Sequence, residues 1–199
     1  MTRSAAVWTE RALLGGGALL LAGWAAVMVE ARIYGFQQER RLERMIEPPR
    51  RAPSRRPRAP TRRVRPMVAS EDLVGRIEIP RLGVKAIVAE GVSGRTLRRA
   101  VGHLPGTALP GSEGNVVLAA HRDTFFRPLK DVQRGDAITL TTPEGRFEYT
   151  VQETQVVEPS RTDVLEPAGP PRLTLVTCYP FYLVGNAPDR FIVRALRTR

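Results

Sequence analysis

The chain has 199 residues, enough for one ordinary domain with accessory segments, and its hydrophobic fraction of 42% fits a folded protein. The net charge of +11 would suggest a nucleic-acid or membrane-surface partner, but residues 67–199 hold 17 Lys and Arg against 15 Asp and Glu, so the excess basicity belongs to a short upstream segment. The single cysteine, Cys178, excludes an internal disulfide and a cysteine-rich zinc site.

The first predicted element is an uncharged apolar run over residues 12–29, which follows a short tail of residues 1–11. Such a run is long enough to cross a bilayer as a helix, because about 17 to 25 apolar residues suffice. Three consecutive glycines at 15–17 disfavour a buried helix of a soluble protein. No small-residue cleavage site follows the run, so we predict an uncleaved signal anchor in preference to a cleaved signal peptide.

Residues 30–69 are predicted to form a juxtamembrane linker rich in Arg and Pro. Between Pro48 and Pro66 the segment lacks periodic apolar residues and is too charged to bury itself, which is typical of an extended chain. We interpret it as a self-repelling spacer in preference to a contact with acidic head groups or wall polymers.

Residues 70–199 are predicted to form the folded domain, in which short β-rich runs alternate with Gly and Pro. Seven runs have the character of strands, at residues 73–80, 84–91, 115–121, 136–142, 146–157, 172–178 and 190–196. Residues 143–145 form the turn of a hairpin, and short helices are expected at 93–100 and 162–165. The pattern predicts a mainly β fold, either a closed or nearly closed antiparallel barrel or a sandwich.

Three chemically useful side chains lie where predicted strands begin or end. Cys178 ends one run, His121 follows the apolar stretch VVLAA, and Arg190 begins the last strand. A lone cysteine after a strand is more often part of a core than a nucleophile. A barrel, however, brings the ends of neighbouring strands together, so the three residues are candidates for one site.

The motif TLVTCYPF, with an Arg twelve positions after the Cys in NAPDRFIV, resembles the signature of the sortase family, and GHLPGTALPGSEGNVVLAAHRDTFFRPL resembles the family segment with the catalytic His. The resemblance covers residues 73–196, and the HLPGTALPG and CYPF stretches are most similar to class D sortases. It implies a closed antiparallel β-barrel of about eight strands. It also implies that Cys178 is the nucleophile, His121 the acid/base and Arg190 the cation that stabilises the oxyanion.

The resemblance further implies a substrate-binding surface beside the nucleophile. Thr177 is either a residue that positions substrate or simply a β-branched strand residue. Val176, Ala119 and Leu97 are candidate walls of an apolar groove for the Leu-Pro part of a sorting signal, with plain core packing as the alternative.

Two further polar residues are placed outside the catalytic set. We interpret His103, the only other histidine, as a hydrogen-bonded structural residue. Asp123 follows His121 closely, but adjacency in sequence does not bring a carboxylate within reach of the imidazole. No cofactor and no metal are expected, because the acidic residues lack the dense spacing of a calcium loop.

The expected function is therefore that of a sortase, which cleaves an LPxTG-like C-terminal sorting signal of secreted proteins and transfers the acyl group to an amine of a peptidoglycan precursor or a pilin lysine. No nucleic-acid partner is expected. The arginines flanking the apolar run favour a cytoplasmic C-terminal side, but long domains translocate largely regardless of charge, so we expect a single-pass protein with an extracytoplasmic catalytic domain. The alternatives are a membrane-anchored, non-catalytic binder of polyanions through the Arg-rich segment, and a hydrolase of the same fold.

Overall fold

A long N-terminal helix and a β-barrel make up the architecture, taken from a computed structural model that describes residues 3–46, 73–167, 169–183 and 185–198. The proposed extended linker at 48–66 lies outside the described residues. The α-helices are α1 (Arg3–Ile46) and α2 (Gly94–Arg99), and short 3-10 helices lie at Pro80–Leu82, Arg127–Asp131 and Asp163–Leu165. The strands are β1 (Leu73–Ile79), β2 (Val84–Glu90), β3 (Val101–His103), β4 (Asn115–Ala119), β5 (Ala137–Thr142), β6 (Gly145–Val157), β7 (Arg172–Tyr179) and β8 (Asp189–Arg197).

The strands close into a barrel in the order β1-β2-β3-β4-β7-β8-β6-β5, which confirms the predicted mainly β fold. Most neighbouring pairs are antiparallel, as expected. The pairs β2–β3 and β4–β7 are parallel instead. Both have a physical reason, because α2 carries the chain from β2 back to the start of β3, and the β5–β6 excursion does the same between β4 and β7.

Within residues 73–198 the predicted strands, hairpin turn and short helices are found, and one strand was missed. The hairpin of β5 and β6 turns at the predicted position, where the Glu144 N–H donates to Thr142 Oγ1 at 3.1 Å. Helix α2 begins after Ser93, whose Oγ accepts from the Thr96 N–H at 3.1 Å and so caps the helix. Strand β3 was missed because three residues are too few to show an alternating pattern.

Helix α1 contains the predicted span and is long and apolar enough, by length and composition, to cross a membrane. It continues beyond that span to Ile46, so the first part of the predicted linker is helical. In this second half the less exposed residues recur at helical spacing: Ala31, Tyr34, Gly35, Gln38, Glu39 and Leu42. This stripe faces the barrel, where Glu39 accepts from Arg76 at 3.1 Å and lies 2.7 Å from Lys85 Nζ.

Candidate active site

One rim of the barrel brings together the ends of β4, β7 and β8, which are neighbours in the sheet. Cys178 in β7 is the direct cross-strand partner of Arg190 in β8. The parallel register of β4 and β7 pairs Ala119 with Val176, and the ladder continues because the Ala120 N–H donates to the Val176 carbonyl at 3.2 Å. Carried two residues past Ala119, where β4 ends, the same offset would assign His121 to the level of Cys178. Cys178 and Arg190 therefore lie opposite each other on adjacent strands, and His121 follows the end of β4 by two residues at the same rim.

Cys178 and Arg190 lie on the outer face of the barrel. Alternate residues of the three strands pack in the central core, namely Val116, Leu118, Ala120, Leu173, Leu175, Phe191, Val193 and Ala195. The side chains of a strand alternate between faces, so Cys178 and Arg190 project outward, as does His121 if β4 is extended along its ladder. Cys178 is half-buried and has a free thiol, so an extended peptide lying on the outer face can approach it.

The backbone of His121 is held by a turn anchored in the core. Its carbonyl accepts from the N–H groups of Thr124 at 3.4 Å and Phe126 at 3.3 Å. Phe126 is fully buried in the central core. The backbone around His121 is thus held on one side by the bond from Ala120 to β7 and on the other by the buried Phe126.

The guanidinium of Arg190 is held by backbone carbonyls next to it in the chain. Its Nη1 donates to the Asp189 carbonyl at 2.9 Å and to the Ala187 carbonyl at 3.3 Å. The side chain is half-buried. A permanent cation on the strand next to the thiol is suited to stabilise an oxyanion that develops beside the sulfur.

Thr177 faces the interior of the barrel, away from Cys178. The side chain is 3% exposed, and its hydroxyl donates to the Ala120 carbonyl at 2.8 Å. That carbonyl belongs to the residue immediately before His121. Of the two interpretations left open by the sequence, the geometry favours a strand residue that ties β7 to the end of β4 over a hydroxyl directed at substrate.

The three candidate groove residues form a continuous row on the outer face. Cross-strand pairing places Gly102 beside Ala119 and Ala119 beside Val176. Leu97 of α2 covers Gly102, with its Cδ2 2.9 Å from the position that a Cβ on that glycine would take. The row thus runs one step below His121 and Cys178, on the same surface.

The other polar residues weighed from the sequence lie apart from this rim. His103 is buried, with Nδ1 2.7 Å from Glu90 Oε2 and Nε2 2.9 Å from the Ala108 carbonyl, which confirms a hydrogen-bonded structural role. Asp123 is exposed. Within the described ranges no group of three or more His, Cys, Asp or Glu side chains could hold a metal ion.

Arg122 is a residue of the site that sequence reasoning missed. It follows His121 directly, is 9% exposed, and donates through Nη2 to the carbonyls of Leu183 at 2.6 Å and Gly185 at 2.7 Å. Both acceptors lie in the loop between Cys178 and Arg190. Its acceptors are backbone carbonyls about sixty positions away in the chain, so no pattern of side chains in the sequence indicates the contact. Only the position of Arg122 next to His121 could have drawn attention to this residue.

Comparison with known families matches residues 77–198 to the sortase domain. The chain belongs to the sortase family. Over 124 residues it is 36% identical to Sortase D of Bacillus subtilis (strain 168), a match that covers 62% of this chain and 63% of that sortase. The chain thus matches less than two thirds of the length of this curated relative.

Solved sortase structures share the barrel. A Clostridium perfringens Sortase D5 transpeptidase is 35% identical, with a TM-score of 0.59 and coverage of 64% of this chain and 80% of that one. Sortase A from Corynebacterium diphtheriae is 32% identical, with a TM-score of 0.61 and coverage of 66% and 63%. Two class D sortases among these relatives agree with the resemblance of the HLPGTALPG and CYPF stretches to that class.

Proposed function

We propose that this sortase is a cysteine transpeptidase whose catalytic residues are Cys178, His121 and Arg190. The observation that carries the proposal is the pairing of Cys178 with Arg190 at the rim where β4 ends, two residues before His121. Family membership of residues 77–198 supports the same reaction class.

In the proposed reaction the Cys178 thiolate attacks the carbonyl carbon of a Thr-Gly-type peptide bond. Arg190 faces the oxygen that becomes negative, and His121 in its protonated form gives a proton to the leaving amine as the C–N bond breaks. A thioacyl enzyme results. An incoming amine then attacks the thioacyl carbon, His121 takes its proton, and the thiolate leaves, so one peptide bond is exchanged for another.

The proposed substrates are secreted proteins with a C-terminal LPxTG-like sorting signal. The apolar row formed by Leu97, Ala119 and Val176 lies next to the nucleophile and suits the Leu-Pro part of such a signal. The proposed acceptor is a primary amine of a peptidoglycan precursor or of a pilin lysine, which would anchor or polymerise surface proteins.

The proposed location is the cell membrane, with one span and an extracytoplasmic barrel. The apolar part of α1 runs without interruption into the stripe that contacts the barrel through Glu39, Arg76 and Lys85. This continuity supports a retained anchor over a cleaved signal peptide, because the barrel packs on the same helix that carries the apolar run.

The experiment uses the full chain in a non-ionic detergent, a quenched LPxTG-type peptide, and an added amine acceptor. We expect Cys178→Ala to abolish thioacyl formation and transpeptidation, and His121→Ala and Arg190→Lys each to lower kcat by about 10²- to 10³-fold while Tm stays nearly constant. Arg194→Lys is the matched control, because Arg194 lies on the same outer face of β8, four residues from Arg190, and pairs with Glu153.

Two results would reject the proposal or change the reaction class. Absence of peptide turnover in the parent protein, with polyanion binding that Cys178→Ala leaves intact, would support the non-catalytic, membrane-anchored binder of polyanions. Release of the acid product alone, unchanged by added amine, would support the hydrolase. A transpeptidase instead gives the amine-coupled product, in an amount that rises with acceptor concentration.

A further inference from the structure

The loop between β7 and β8 joins the proposed nucleophile to the proposed oxyanion-stabilising residue. At its base Phe181 packs edge-on against Phe191 with ring centroids 5.2 Å apart, and against Tyr179 at 6.1 Å. Phe181 and Phe191 also contact the central core. The base of the loop is therefore fixed by aromatic packing.

The described residues at the tip of the loop lack such packing. Tyr182 is 79% exposed and Leu183 is 42% exposed. Arg122 contacts the tip, because its Nη2 donates to the carbonyls of Leu183 and Gly185 at 2.6 and 2.7 Å. Charge-assisted hydrogen bonds of this length are among the strong ones in proteins.

Burying the guanidinium of Arg122 costs free energy. A cation taken out of water loses its hydration, and its hydrogen-bonding partners must offset that loss. Nη1 of Arg122 is buried without an acceptor among the residues that the structure describes, and no carboxylate pairs with the guanidinium there. Its contacts are directed at the loop, which favours a role in placing the loop over a role in overall stability.

The β7–β8 loop connects the contact made by Arg122 to an acceptor of Arg190. Only one residue separates Gly185, held by Arg122, from Ala187, and the Ala187 carbonyl accepts from Arg190 Nη1 at 3.3 Å. A shift of the tip therefore displaces an acceptor that orients the guanidinium. We infer that Arg122 is a positioning residue for the proposed transpeptidase, acting on Arg190 through the β7–β8 loop without touching the reacting atoms; the inference rests on the proposed function.

The test compares Arg122→Gln and Arg122→Lys with Arg127→Gln, a control in which an exposed arginine of the segment after His121 is changed. We expect Arg122→Gln to lower kcat by about ten- to a hundred-fold, the range for a catalytic group misplaced by up to about 1 Å, with a smaller change in KM. Arg122→Lys should recover part of kcat, because an ammonium retains donors for the carbonyls. Chymotrypsin should cleave after Tyr182 faster in Arg122→Gln, and the control should match the parent protein.

Coupling to Arg190 separates positioning from general damage. In an Arg190→Lys background, we expect Arg122→Gln to cause little further loss of kcat, because both changes impair the same cation. Equal factors in both backgrounds, or an unchanged kcat in the single variant, would overturn the inference. If Cys178→Ala stays active the proposed function fails, whereas an inactive Cys178→Ala with a fully active Arg122→Gln refutes only the role of Arg122.

Gly185→Ala gives a second test that does not alter a buried side chain. Gly185 has a φ of 99°, and a Cβ there would meet nothing within 4 Å, so alanine strains the loop backbone without a clash. We expect kcat to fall while Tm is nearly unchanged. If Arg122→Gln does not fold, this variant decides the matter, and an unchanged kcat in it would refute control of Arg190 by the loop tip.

Discussion

Replacing Thr177 with valine tests how the strand next to the nucleophile holds the histidine. Valine keeps the branched shape but removes the hydroxyl that donates to the Ala120 carbonyl at 2.8 Å in a fully buried setting. Loss of one buried hydrogen bond should lower the free energy of unfolding by about 1–2 kcal/mol. Since Ala120 precedes His121, we also expect kcat to fall several-fold with KM unchanged, measured with the quenched peptide and by urea unfolding of the full chain in detergent.

Thr177→Ser is the matched control, because it keeps the hydroxyl and removes a methyl group. It should retain kcat, although loss of a buried methyl costs about 1 kcal/mol of stability. The reasoning is refuted if Thr177→Val keeps its stability and kcat but raises KM. That result would mean that the hydroxyl contacts the substrate, the interpretation that the buried geometry disfavours.

Two further predictions concern the barrel. Hydrogen bonds from Arg81 and the Gln133 N–H lower the pKa of Asp136, so its stabilising contribution is complete above the unfolded pKa of about 3.9 and is lost as the pH falls through the lower folded value. Asp136→Asn should therefore cost about 2 kcal/mol at pH 7, with a gap to the parent protein that narrows towards pH 2 in urea unfolding; a constant gap contradicts the assignment. Gly102→Ala would place a Cβ 2.4 Å from the Gly91 carbonyl oxygen and 2.9 Å from Leu97 Cδ2, so Tm should fall and KM should rise. Gly94→Ala is the control, because its Cβ would lie 3.6 Å from Arg98 Nη1, and it should keep both values.

Much of the fold follows from local pattern, and the missing parts depend on distant contacts. The hairpin and the long strands carry alternation and turn residues that can be recognised in one sequence. The parallel pairs β2–β3 and β4–β7 cannot be found this way, because pairing direction depends on where a crossover returns the chain. The sequence predicts linker for the helical residues 30–46, because their less exposed stripe includes Gly35, Gln38 and Glu39, which gain burial only against the barrel.

Some residues of the candidate site can be found from the sequence alone, and others depend on distant contacts. Cys178, His121 and Arg190 could be selected because reactive side chains at strand ends are visible in the sequence and match a family motif. Arg122 could not, because its acceptors are main-chain carbonyls of the β7–β8 loop. Thr177 was recognised as a residue of interest, but its inward direction depends on the pairing of β7 with β4.

Core packing on the inner face sets the geometry of the outer face. A slip of β8 by one residue relative to β7 would turn Arg190 inward and bring Phe191 out of the core. Val193 and Ala195, which follow Phe191 at alternate positions inside the barrel, would be exposed by the same slip. Burial of these apolar residues therefore disfavours any register that turns Arg190 inward. In the observed register, Arg190 lies opposite Cys178. The strands thus fix the pairing of Cys178 with Arg190, and under the inferred role of Arg122 the β7–β8 loop sets the orientation of the Arg190 guanidinium.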